Sequence, residues 1–143
     1  MRAMDEPVIG PESEVPLEEL LDLYGAVGWT AYTGHPEVLR KAIEGSSYVV
    51  TARMGDRLVG LARAVSDDAT VCYLQDVLVH PEAQREGTGR KLVEAVLERY
   101  RSVRQKVLLT DDEKAQRAFY EALGYKEIRD FGEGTLRAFV RFD

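Results

Sequence analysis

The sequence predicts a mixed α/β (α+β) domain: an antiparallel meander followed by a strand-helix-strand crossover, all in one central sheet flanked by helices. Three observations predict it. The runs SYVVTAR, LVGLARAV and TVCYLQDVLV follow one another with only MGDR and SDDA between them, and their Gly and Asp residues suit tight reversals. The third run passes through a joint with two glycines into helix periodicity, and from there into another short apolar run, KVLLT. Helix-period stripes lie on both sides of this block.

At 143 residues, one domain covering 1–143 is expected, with residues 1–14 a flexible or edge-strand N-terminus. The opening MRAMDEPVIGPESEVP is short and acidic and lacks the apolar core of a signal peptide. After it, Leu17, Leu20, Leu21 and Tyr24 share one helical face, stopped by Gly25 and Gly28, and a second short helix is expected from Pro36 to Glu44. The meander follows. Beyond the joint, Leu92, Val93, Val96, Leu97 and Tyr100 form one helical face, and a right-handed crossover then makes KVLLT parallel to the strand before the joint. Thr110 and Glu113 have the spacing of a capping box for a further helix. Its expected stripe is Ala115, Ala118, Phe119, Ala122 and Leu123, and Gly124 ends it. The segments YKEIRD and TLRAFVRF, around FGEG, read as a closing strand pair.

Composition narrows the function. A net charge of −6 argues against a nucleic-acid partner, whose phosphates are held by clustered Lys and Arg. No stretch approaches membrane-spanning length, so a soluble, cytoplasmic protein without a membrane partner is expected. One cysteine and two histidines leave no ligand set for a structural metal. Cys72 and His80 would lie about 26 Å apart along an extended strand, too far for a catalytic dyad. Cys72 then reads as a packing residue and His80 as a loop residue.

The joint carries the chemistry. It runs Gln84, Arg85, Glu86, Gly87, Thr88, Gly89 and Arg90 where a strand hands over to a helix. The first turn of a helix exposes unpartnered N–H groups at the positive end of its dipole, and glycines let a phosphate reach them. The spacing fits neither the dinucleotide fingerprint, which needs glycine at Leu92, nor the P-loop.

The block VLVHPEAQREGTGRKL, with its proline and QxxGxG, resembles the central motif of the GCN5-related N-acetyltransferases (GNATs), and AFYEALGY, Ala118 to Tyr125, is similar to that family's second motif. The resemblance covers the chain from about Pro16 onward and implies a GNAT-like sheet with acetyl-CoA as cosubstrate and no metal. It implies that residues 84–90 hold the pyrophosphate and that main-chain groups of Val77, Leu78 and Val79 pair with the pantetheine arm. It also implies that Tyr120 contacts the cofactor and protonates the departing thiolate. Asp76, polar within an apolar strand, reads either as the general base and an amine-binding group or as a structural carboxylate; Gln75 belongs to the core edge or the cleft. Trp29 and Tyr32 are candidate acceptor-site residues, with Asp22 and Glu37 nearby, or fillers of an apolar edge. The family's asparagine at the start of the second-motif helix has no counterpart in TDDEKAQRAFY, and Lys114 and Arg117 read as ribose-phosphate contacts or as a solvated face.

The activity expected is direct transfer of an acetyl group to a primary amine, on a small molecule of aralkylamine or polyamine type or on a protein. A non-catalytic acyl-CoA binding or sensing module is the alternative. A homodimer is compatible with the family and demanded by no residue.

Overall fold

A computed structural model describes residues 6–132 and 134–143. The chain divides into two compact units, Met1–Leu109 and Thr110–Asp143.

The first unit holds β1 (Val8–Pro11), α1 (Leu17–Ala26), α2 (Thr30–Thr33), α3 (Pro36–Glu44), β2 (Tyr48–Met54), β3 (Arg57–Ser66), β4 (Val71–Val79), α4 (Thr88–Arg99) and β5 (Gln105–Leu108). The five strands form one sheet in sequence order; β1 to β4 are antiparallel neighbours and β5 runs parallel to β4. The β2–β3 reversal is a two-residue turn with Gly55 at a φ of 61°. At the β3–β4 reversal, the Asp67 carboxylate accepts the N–H groups of Ala69, Thr70 and Val71, so the loop supplies its own hydrogen bonds.

One face of the sheet is covered by α1 and α3, whose Leu20, Leu23, Tyr24, Leu39 and Ile43 pack with Val49, Leu58, Leu61 and Leu78 of the strands. Helix α4 covers the other face. Gly60 permits its close approach: a Cβ there would lie 3.0 Å from Leu92 Cδ1 and 3.2 Å from Ala52 Cβ. Val93, Val96 and Tyr100 are buried with Leu92, as the spacing predicts.

The second unit holds α5 (Lys114–Ala122), which ends at Gly124 with a φ of 93°. Three expectations are corrected here. The Thr110 to Glu113 capping box does not form: the helix starts at Lys114, with Glu113 itself at the cap position and Asp111 accepting the Glu113 N–H. Ala115, Ala118 and Ala122 are exposed, and the half-buried residues are Gln116, Arg117, Phe119 and Tyr120 of α5 with Leu123 at its end. The closing strand pair is absent among the described residues. Ile128–Asp130 is instead a single 3-10 turn, with Arg117 ion-paired to both Glu127 and Asp130. Alternation in TLRAFVRF satisfies one condition for a strand, but a ladder also needs a neighbouring backbone.

Candidate active site

The site grows from an irregularity in β4. Asp76 pairs with Arg63 and Leu74 with Ala64, so Gln75 is an extra residue without a partner on β3, a β-bulge. Cross-strand partners share a face, and Arg63 and Ala64 lie on opposite faces of β3. The bulge therefore turns Leu74 to the α4 side and Asp76, with Leu78, to the side of α1 and α3. Simple alternation would have kept all three on one side.

Turned that way, Asp76 enters a polar cluster inside the apolar core. Its Oδ2 accepts from Arg63 Nε at 2.6 Å and from the Tyr24 hydroxyl at 3.0 Å, and its Oδ1 accepts from the Tyr32 hydroxyl at 2.9 Å. Asp76 is 3% exposed and Arg63 6%. Arg63 reaches further, with Nη1 near the Ala42 carbonyl and Ser46 Oγ and Nη2 donating to the Tyr32 hydroxyl at 3.3 Å. One guanidinium thus ties β3 and β4 to the end of α3 and to α2. Burial works to lower the Arg63 pKa, but the Asp76 charge and its hydrogen bonds outweigh it and raise the value. Burial, then the Asp76 charge, pushes the Tyr24 and Tyr73 hydroxyls up.

Trp29 and Tyr32 stack with Tyr24, at ring separations of 5.8 Å for Tyr24 and Trp29 and 4.9 Å for Tyr24 and Tyr32. Asp22 and Glu37 are exposed, and Glu37 pairs with Arg40. At the outer end of the cluster Gln75 is exposed, and its Nε2 donates to the Tyr32 hydroxyl at 3.3 Å. Sequence reading missed Arg63. The available signal was that Arg63 and Asp76 are each the one charge within the apolar runs LVGLARAV and TVCYLQDVLV, and of opposite sign.

Beyond the bulge β4 has an open edge. Its pairing with β5 ends at Leu74 and Leu108, whereas β4 continues to Val79. The His80 N–H donates to the Val59 carbonyl on β3, so the Val79 carbonyl points the other way, and period two sends the Val77 groups the same way. Leu78 directs its main chain to β3 and its side chain into the core. Gln84 Nε2 reaches back to the Val79 carbonyl at 2.9 Å, fastening the start of the joint to that edge.

In the joint, Arg85 and Gly87 both take left-handed backbone, at φ of 67° and 82°. Gly87 is the N-cap of α4, no side chain caps the helix, and its first turn carries no acid. The N–H groups of Thr88, Gly89 and Arg90 precede the first intrahelical bond, from Lys91 to Gly87. Glu86 is exposed, Thr88 is buried, and exposed Arg90 pairs with Glu94. These features fit a diphosphate: unpartnered donors, a positive dipole end and no acid in the first turn of the helix.

The profile of the family described as Acetyltransferase (GNAT) domain matches residues 21–142. The chain belongs to the GNAT family. A GNAT-family acetyltransferase of Streptococcus pneumoniae TIGR4 is similar in structure at a TM-score of 0.81, with 30% identity, 96% of this chain covered and 99% of that one. Among curated proteins, the chain is 26% identical to the uncharacterized N-acetyltransferase ycf52 of Pyropia yezoensis, over 90% of this chain and 75% of that protein. It is 29% identical to GCN5-related N-acetyltransferase 2, chloroplastic, of Arabidopsis thaliana, over 86% of this chain and 55% of that one. AAC(6')-Iy, solved in complex with a bisubstrate analog of coenzyme A, shares the fold at a TM-score of 0.70 and 18% identity.

Within the second unit of this GNAT chain, Tyr120 is half-buried between the rings of Phe119, 4.9 Å away, and Tyr125, 5.9 Å away. Its hydroxyl makes no hydrogen bond among the described residues. Burial, and then the Asp111 charge, raise its pKa. Arg117 is engaged by Glu121, Glu127 and Asp130, and Lys114 is exposed. Cys72 is buried, and His80 Nδ1 accepts the Glu82 N–H in the turn that follows β4. Among the described residues there is no cluster of three or more metal-ligating side chains and no helix long and apolar enough to cross a membrane.

Proposed function

We propose that the protein is an N-acetyltransferase that moves an acetyl group from acetyl-CoA directly to a primary amine. The acceptor is an aralkylamine, a polyamine or a protein amine. The observation that carries this reading is the meeting, at Gln84, of an open β4 edge with the uncapped N-terminus of α4. Family membership implies the cosubstrate, and the residues of the joint fit it.

Bound acetyl-CoA supplies the acyl group as a thioester. Residues 84–90 hold the diphosphate with main-chain N–H groups, and Arg85 and Arg90 add charge. Val77 and Val79 offer main-chain groups along the open edge to an extended ligand, in the manner of an added strand. The Val77 N–H is a preorganised donor for negative charge developing on a carbonyl oxygen. Tyr120, protonated at neutral pH, is the acid. Trp29 and Tyr32 provide aromatic surface for the acceptor. A cytoplasmic site of action is part of this reading, and the plant relative is chloroplastic by name.

Titrating coenzyme A into the protein by calorimetry, followed by a free-thiol assay over a panel of amines, tests the proposal. Binding with turnover on at least one amine is expected. Binding without turnover on any amine, unaltered by Tyr120→Phe, favours a sensing module, and no heat with either coenzyme A or acetyl-CoA rejects the assignment.

A further inference from the structure

We propose that Asp76 is a positioning residue and not the proton acceptor, and that the Arg63–Asp76 pair locks Tyr32 to Gln75 as the rim that recognises the incoming amine. The inference rests on the acetyltransfer reading.

A general base needs a lone pair aimed at the proton it removes, within hydrogen-bond reach. Both carboxylate oxygens of Asp76 already accept from buried or half-buried donors, three in all, and the residue is 3% exposed. The strongest of these contacts is charge-assisted, at 2.6 Å, so protonating Asp76 would strand a buried guanidinium.

The pair is arranged to hold something else. Helix α2 is four residues long, has no buried residue and has no side-chain cap, so it contributes little to its own placement. Its Tyr32 hydroxyl, however, makes three hydrogen bonds: it donates to Asp76 and accepts from Arg63 and Gln75. A phenol has one proton and two lone pairs, so this environment fixes both its position and its polarity. The polarity passes outward. Gln75 spends its Nε2 on Tyr32, which leaves its Oε1 without a partner among the described residues, on an exposed residue directly before the open edge at Val77. An amide carbonyl held there accepts an N–H from an amine nitrogen, and Tyr32 and Trp29 supply the adjoining ring surface. The amine is then recognised by a neutral acceptor, and loses its proton to solvent before it attacks.

Partner rescue tests this, because no base is restored by changing the residue beside it. In the full-length protein, Asp76→Asn leaves Arg63 uncompensated and is expected to lower kcat/KM for the best amine of the panel at least tenfold. Arg63→Gln/Asp76→Asn replaces the ion pair with two hydrogen-bonding amides and is expected to recover at least fivefold of that loss. Coenzyme A affinity should stay at the wild-type value in both. The acidic limb of the wild-type pH profile should move with the pKa of the amine used. A double variant no more active than Asp76→Asn, although both bind coenzyme A normally, overturns the proposal, as does an acidic limb that stays fixed across amines and vanishes in Asp76→Asn. Should the double variant not fold, Gln75→Leu, at an exposed position, decides: amine KM should rise at least threefold with acetyl-CoA KM unchanged, and an unchanged amine KM overturns the inference. Wild-type protein that fails to bind coenzyme A or turn over any amine sinks the acetyltransfer reading itself, a result these variants cannot mimic.

Discussion

Tyr120 must hold a proton at neutral pH to act as an acid, and its surroundings favour that form. Burial and the Asp111 charge both oppose the phenolate, so the hydroxyl stays protonated beyond the ordinary tyrosine pKa of about 10. The kcat profile should therefore show no basic limb from this group below about pH 10. Tyr120→Phe should lower kcat by about 10²- to 10⁴-fold, the range for general acid–base catalysis, with coenzyme A affinity unchanged by calorimetry. A loss under threefold would remove Tyr120 from the mechanism. Asp76 answers to stability as well as rate. Truncating it to Ala leaves a buried, unpaired guanidinium and should cost about 3–5 kcal/mol, read from urea unfolding. At this scale the sequence is half legible. Asp76 and Tyr32 stand out as polar or aromatic residues in telling places, but that they touch follows only from the bulge at Gln75, and no local pattern announces one extra residue in a strand.

Helices and strands were the readiest to read, because hydrophobic period is a local property. The stripe from Leu92 to Tyr100 and the three meander runs need no distant partner to be recognised, and Pro36 at the first position of α3 marks its start. What failed was non-local or marginal. The segment Thr135 to Phe142 alternates like a strand, but pairing depends on a neighbour that its own residues do not specify; Arg117, meanwhile, spends its charge on Glu127 and Asp130 and supports a 3-10 turn just before it. The joint before α4 was legible as an uncapped helix start because QxxGxG places Gly87 where a capping side chain would stand. Its geometry gives a test. Gly87 has a φ of 82°, so Gly87→Ala should cost about 1–2 kcal/mol in unfolding free energy and weaken coenzyme A several-fold, both measurable by thermal shift with and without ligand. Unchanged affinity in that variant would mean the diphosphate lies elsewhere. On the opposite face of the sheet from α1 and α3, Gly60→Val should cost more than Gly60→Ala, since the added atoms must displace Leu92 and Ala52.

Acid should loosen a network of ionised side chains that ties the edge of the sheet to a helix. Glu12 accepts from Arg53 and Thr51, and Arg53 also pairs with Glu19, so β1, β2 and α1 share one network. The Arg53 hydrogen bond holds the Glu12 carboxyl below its ordinary value. A depressed folded pKa contributes its stability in full above the unfolded value, about 4.3 for glutamate, and loses it as pH falls through the folded value. Tm should thus hold level from neutral pH to about 5 and fall below about 4, and Glu12→Gln should make that fall shallower in a pH series of thermal scans. In the opposite direction, coenzyme A at one hundred times its Kd should add about 2.7 kcal/mol, or about 5–10 °C for a chain of this length. Finally, the unpaired residue in the fourth strand has a consequence for how this chain can vary. Cys72 and Leu74 are in phase with one layer and Asp76 and Leu78 with the other, so the strand is spliced from two halves of opposite parity. Deleting Gln75 would make Leu74 and Asp76 consecutive, so ordinary alternation would keep each half on the layer it now faces while removing the hydrogen bond from Gln75 to Tyr32. Loss of this one residue should therefore be better tolerated than loss of a residue elsewhere in the strand, which would turn one half to the wrong layer.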